Sequence, residues 1–225
     1  MTFAPKTLAV LTKLSYELFD DLTDEGAALI EGSLVNSLSL EVDRAALRGS
    51  GTGQEPTGIR NQTGVTIQSL GVNGAAPTYA ALVNAVSAIQ SANQEPNGAI
   101  YSARTAKSLT NLIDTTNQPL QKSPLIADLA TFVTNQIPEN LTHGTSTVAS
   151  EIYTADWSQL LIGIRPRVRI EVQRVRSGDA GFPVNVKASS EVGLGTMSVH
   201  VLAWIRADIQ LAQPTGFVVS TGVTP

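Results

Sequence analysis

Residues 14–59 read LSYELFDDLTDEGAALIEGSLVNSLSLEVDRAALRGSGTGQEPTGI. In this stretch Leu22, Leu29, Ile30, Leu34, Leu38, Val42, Ala45 and Ala46 recur at three- and four-residue spacing, the period of one face of an α-helix. The spacing predicts a helix over residues 20–48. Asp20, Asp21, Thr23 and Asp24 gather at its start, where oxygen acceptors satisfy free amides and negative charge meets the positive end of the helix dipole. Arg44 and Arg48 fall in the last turns, and Gly49 and Gly51 stop the helix. Such a helix is about 40 Å long, which suits an exposed spine better than a wrapped core helix. The segment from Gly49 to Gly64, with Gly51, Gly53 and Gly58 inside it, reads as a tight backbone crossing.

Outward from this helix the pattern continues in both directions. Residues 3–16 read as strand. A second helix is expected from Thr78, its N-cap, to Ser91, with Ala81, Leu82, Ala85, Val86 and Ile89 on one face. A short strand over 98–103 and a short helix over 104–113 follow. Residues 115–127 read as loop, and 128–137 fit either strand or short helix. Residues 147–155, 159–164, 167–175 and 196–212 alternate like strands, and 216–220 is expected to pair with the last of these. A Gly/Asp/Pro loop lies at 177–183, ahead of Val184–Val186. Helices early and strands late argue an α+β fold.

Composition narrows the function. The chain of 225 residues has 15 Lys and Arg against 19 Asp and Glu, a net charge of −4. Its 15% charged content is low against about 25% for globular domains, which fits either an ordinary neutral monomer or a surface largely covered by other subunits. No basic block supports sequence-independent nucleic-acid binding. The absence of Cys excludes disulfide scaffolds, thiolate metal sites and cysteine nucleophiles. No run of about 18 apolar residues is present.

Motifs for chemistry are sparse. Gly49–Gly53 follows a helix and lacks the Gly-Lys-Ser/Thr of a phosphate loop. His143 sits in a loop and His200 inside a strand, without a convincing acidic partner. The acids at 20–25 lack the spaced ligands and glycine of a calcium loop. No catalytic, cofactor-binding or metal residue is assigned and no cofactor is expected. The one basic concentration is Arg165, Arg167 and Arg169, continuing to Arg174 and Arg176. It reads as a charge-protected edge strand or as inter-subunit ion pairing, ahead of an inward patch for a polyanion.

The order of these elements resembles the tailed-phage major capsid protein family of the Hong Kong 97 type. The resemblance rests on the Leu14-Ser15-Tyr16-Glu17-Leu18-Phe19-Asp20-Asp21 entry, the helix end Asp43–Gly49, and the loop Gly51-Thr52-Gly53-Gln54-Glu55-Pro56-Thr57-Gly58-Ile59. It continues through residues 78–113, Tyr153–Gln159 with Leu161–Gly163, and Val199 through Arg206–Asp208 to Pro214; it covers nearly the whole chain. It implies an α+β capsid fold with a long spine helix, a peripheral domain (1–60 and 176–208) and an axial domain (61–175 and 209–225). It implies a shell-forming structural protein and no enzyme. The shell is built from pentamers and hexamers around double-stranded DNA held without sequence-specific contacts. Scaffold, protease and portal proteins are expected partners, a membrane is not, and the expected location is the virion, with assembly in the host cytoplasm. The family's N-terminal arm and extended loop ahead of the spine helix are not recognisable in this sequence. Within this reading Asp20 and Asp21 cap the spine, the four glycines shape the crossing, and Arg44, Arg48, Arg165, Arg167 and Arg169 make inter-subunit ion pairs. The rival readings are an encapsulin-like compartment shell and a small α+β enzyme whose site forms only in three dimensions.

Overall fold

A computed structural model describes residues 3–21, 23–165, 169–174 and 198–225. The chain runs β1 (Lys6–Ser15), α1 (Tyr16–Asp20), α2 (Asp24–Arg48), β2 (Thr66–Ser69), α3 (Tyr79–Ser91), β3 (Gly98–Tyr101), α4 (Ala103–Thr110), α5 (Pro124–Ala127) and β4 (Ala130–Val133). It continues through β5 (Leu141–His143), β6 (Ser146–Ala155), β7 (Leu160–Ile164), β8 (Arg169–Arg174), β9 (Ser198–Leu211) and β10 (Phe217–Val223). Two compact units result: residues 1–4, 43–163 and 208–225 form one, and 5–42 with 164–207 the other. The first of these takes in the last turns of α2 together with the chain that follows them.

In the smaller unit β1 and β8 each pair antiparallel with β9, Lys6 opposite Ala207 and Arg169 opposite Trp204. β1 alternates between half-buried and exposed residues along its whole length, as a strand with one covered face must. The covering element is α2, whose Ile30, Leu34 and Leu38 pack against Leu8, Val10, Leu14, Val201, Ala203 and Ile205.

The larger unit is built on a six-stranded sheet in the order β2-β10-β6-β3-β4, with β5 pairing the start of β6. β10 is buried along all seven residues, because both faces of the sheet are covered. On one face Leu82 and Val86 of α3 meet Tyr101 and Ile152. On the other, Leu47 of α2 meets Ile59, Tyr153, Phe217 and Val219. The helix over 79–91 forms as expected: the Thr78 hydroxyl accepts from the Ala81 amide at 3.3 Å, and the five expected residues are the buried ones.

Three expectations change. The first helix is two helices. Ser15 caps α1, accepting from Leu18 N at 3.2 Å, and Asp20 and Asp21 close that short helix instead of opening the spine. Thr23 caps α2, accepting from Gly26 N at 3.4 Å, with Asp24 and Glu25 in the first turn; a hydroxyl at position 23 competes successfully for the first free amides. Second, β10 does not pair with β9. The single turn Pro214–Gly216 carries the chain away, and β10 pairs with β2 and β6. Third, β2, β5 and α1 add short elements in stretches given no element, α5 forms within the loop expected over 115–127, and 128–137 holds the strand β4. The expected loop at 177–183, Val184–Val186 and Arg176 lie outside the described residues.

Candidate functional site

The densest polar construction lies where α2 ends. Ala45, Ala46 and Leu47 are buried, and the chain then doubles back on itself. Gly58 N donates to Gly49 O at 2.9 Å and Gly51 N to Pro56 O at 3.2 Å. Any Cβ on Gly49 would strike the Pro56 carbonyl oxygen. One on Gly58 would lie 2.7 Å from both Ala45 O and Arg48 N. Two strands of backbone therefore touch here, and only glycine permits it. Gly51 and Gly53 have φ of +72° and +61°, turning the loop between them. Asn61 Nδ2 donates to Gly49 O at 2.8 Å, so a side chain ties the return strand to the helix end. Gly49 and Gly58 thus make the close approach, and Gly51 and Gly53 lie in the loop that joins them.

Two ion-pair systems hold this crossing. Arg44 Nη2 lies 2.7 Å from Glu55 Oε1, and Ser50 supplies its hydroxyl and its amide to Glu55 Oε2. The Ser50 hydroxyl first, then Arg44, push the Glu55 carboxyl down to about 2. The second system centres on Glu151 of β6, whose side chain is only 2% exposed. Arg48 Nη1 reaches Glu151 Oε2 at 3.1 Å, Arg60 Nε reaches Oε1 at 2.5 Å, and the Tyr153 hydroxyl donates to Oε2 at 2.8 Å. Burial, then the Glu151 charge, hold the Tyr153 hydroxyl protonated far above its ordinary range. A buried carboxylate is costly unless charges and donors surround it, and here Arg48 and Arg60 from two other segments and Tyr153 from the same strand do so.

Arg44 and Arg48 make ion pairs inside the chain, with Glu55 and Glu151. Arg165 is exposed, with its amide donating to Arg206 O at 3.0 Å. Arg169 opens β8 opposite Trp204. Arg167 lies outside the described residues. Sequence reading missed Glu151, Arg60, Glu55 and Tyr153. The available signal was a lone charged residue in an otherwise uncharged strand, since Glu is almost never fully buried unpaired.

The remaining chemistry is modest. His143 Nε2 lies 3.0 Å from both Ser69 Oγ and Gly71 O, a loop tie, and His200 stands opposite Lys13 on β1. A cavity of about 160 Å³ is lined by Arg48, Arg60, His143 and Glu151 among others; one of about 310 Å³ is lined by Arg104, Ile137 and Glu139. Arg104 is tied to Glu139 O and Val148 O. The groups with displaced acidity, Glu55, Asp114 and Tyr153, line neither cavity. Among the described residues no cluster of three or more His, Cys, Asp or Glu is placed to hold a metal ion, and no helix is long and apolar enough to cross a membrane.

Comparison with known proteins follows the same line. The sequence profile described as the Phage capsid family matches residues 1–222. No curated protein sequence matches. Among solved structures, the capsid of a native GTA particle superposes with a TM-score of 0.68 at 16% identity, over 100% of this chain and 74% of that one. The Mycobacterium phage Ogopogo structure gives 0.67 at 16% identity, over 97% and 76%. The holo-SrpI encapsulin complex from Synechococcus elongatus gives 0.64 at 10% identity, over 98% and 74%. The fold is the Hong Kong 97-type capsid fold.

Proposed function

We propose, for a chain that belongs to the phage capsid family and is a shell-forming capsid protein, that its shell is icosahedral, assembles in the host cytoplasm and encloses double-stranded DNA. The carrying observation is the spine helix. Along residues 24–42 it buries Leu34 and Leu38 and leaves Leu29, Val35 and Leu40 exposed, Leu29 at 77%. An isolated chain gains nothing from such a surface, whereas a subunit among many copies covers it. On this reading the unit of 5–42 and 164–207 is the peripheral domain and the other unit the axial domain. The work is geometric and needs no catalytic residue; scaffold, protease and portal proteins are the further partners. Arg165, Arg167 and Arg169 remain the basic side chains assigned to contacts between copies.

The test is electron microscopy and nuclease protection on particles purified after expression with the remaining head genes. Uniform shells holding nuclease-protected double-stranded DNA are expected. Shells filled with protein instead favour the second reading, an encapsulin-like compartment, which the SrpI superposition supports. Absence of particles under every condition overturns both.

A further inference from the structure

The six-stranded sheet ends, among the described residues, in β2 at one side and β4 at the other. The two edges match. β10 and β3 both run antiparallel to β6, β2 is parallel to β10, and β4 is parallel to β3. β2 and β4 therefore point the same way. Each is four residues long, Thr-Ile-Gln-Ser and Ala-Thr-Phe-Val, without a charge or a proline. All four residues of β4 are exposed, Phe132 at 57% and Val133 at 56%, and Ile67 of β2 is exposed at 52%.

Free edges are normally blunted by charge, proline or a bulge, because open backbone groups recruit other strands. In the other sheet two of the outer strands follow that rule, whereas β7, Leu-Leu-Ile-Gly-Ile, carries no charge. Of those two, β1 carries Lys6 and Lys13, and β8 carries Arg169, Glu171 and Arg174. The edges at β2 and β4 carry no such protection.

The backbone also identifies the open groups. Ala130 N donates to Asn97 O and Thr134 N to Tyr101 O. By strand alternation the Thr131 and Val133 amides face the open side. Leu70 N donates to Thr221 O, so the Ile67 and Ser69 amides face the open side of β2.

We propose that β4 of one copy pairs in parallel with β2 of the next, extending the sheet from subunit to subunit. This rests on the shell reading above and names one contact within it. A second copy is the occupant because each chain holds both halves of the match: same strand direction, same length, and apolar side chains that leave water together on pairing. The contact is head-to-tail. Every addition leaves one open edge of each kind, so growth continues until a ring closes.

Proline at 131 or 67 deletes an outward amide while breaking no bond to β3 or β10, the one place a sheet tolerates it. Thr131→Pro and Ile67→Pro are each expected to keep the wild-type circular dichroism and to sediment as monomers where the wild type assembles. Thr131→Pro keeps its β2 edge and Ile67→Pro its β4 edge. An equimolar mixture is therefore expected to give one-to-one dimers and nothing larger. Variants that build wild-type particles, or a mixture that stays monomeric, overturn the contact and leave the shell reading standing. Wild-type chains that remain monomeric at every concentration overturn the shell reading and the contact with it. Amide exchange on the wild type decides the matter even where a proline variant fails to fold. The Thr131, Val133, Ile67 and Ser69 amides are expected to slow at least tenfold on assembly, and unchanged exchange in assembled particles overturns the proposal.

Discussion

The two ends of α2 are built on opposite terms. Residues 24–42 touch their sheet through one narrow stripe of Ile30, Leu34 and Leu38, and most of the remaining surface is exposed. The last turn buries Ala45, Ala46 and Leu47 together. It is followed at once by two ion-pair systems and a glycine crossing. One helix thus has a fixed end and a sparsely held length. Local opening should follow that gradient, since stability concentrates where buried contacts and satisfied polar groups concentrate. For a capsid subunit the arrangement is useful. The fixed end preserves the subunit's own fold, and the open length is left to be covered by neighbours.

The largest effect expected from breaking this contrast is at the crossing itself. Gly58→Ala places a methyl 2.7 Å from Ala45 O and Arg48 N, where backbone has no flexible end to yield. A loss of more than about 3 kcal/mol is expected, read as a lowered urea midpoint or as insoluble protein. Gly53→Ala, where the added methyl meets no atom within 4 Å, carries the left-handed backbone penalty of about 1 kcal/mol. Equal losses at the two glycines would refute the close-approach argument.

Next in size is Glu151→Gln. It keeps the volume but leaves Arg48, Arg60 and the Tyr153 hydroxyl around a neutral amide. About 3 kcal/mol is expected, because the charge removed is buried while its partners keep partial access to water. A variant as stable as the wild type would show that the network is incidental.

The open length is probed by a pair of leucines nine residues apart in sequence. Leu38 is 3% exposed and Leu29 is 77% exposed. Leu38→Ala is expected to cost about 2–3 kcal/mol in thermal or denaturant unfolding, and Leu29→Ala to stay within about 0.5 kcal/mol. The sharper outcome is the converse in assembly, where Leu29→Ala is expected to weaken particles that the isolated chain's stability does not foretell.

An effect smaller than those at Gly58, Glu151 and Leu38 is expected at Glu55. Its carboxyl titrates near 2 in the folded chain against 4.5 for an unperturbed carboxyl. A depressed folded value stabilises above the unfolded value and is lost as pH falls through the folded one. The Glu55 contribution is therefore complete above about pH 4.5 and disappears towards pH 2. With solvent screening it amounts to about 1 kcal/mol. Glu55→Gln should lower the midpoint at pH 6 and match the wild type at pH 2; a difference that persists at pH 2 would assign the loss to packing instead.

Periodicity made the long elements legible, because a helix or strand with one covered face writes its period into the chain. The stripe of Ile30, Leu34 and Leu38, the Thr78 cap with its five buried partners, and the long strand β9 were all readable in advance. So was the glycine spacing, since close backbone approach leaves few residue choices. Two errors came from local competition. Thr23 outcompeted Asp20 and Asp21 for the free amides of the spine, and one turn at Pro214 sent β10 to a different sheet from β9.

What the sequence alone determined is therefore the long elements, the covered stripe of the spine helix and of the helix over 79–91, and the family the chain belongs to. What only the tertiary structure decided is which charges meet. Glu151 lies 103 residues from Arg48 and 91 from Arg60, and Arg44 and Arg48 turn inward to partners that no local spacing points to. Local periodicity reports whether a residue faces the core. The partner of a buried charge depends on which distant segments the sheet brings within about 3 Å of it, and that distance exists only once the chain has folded.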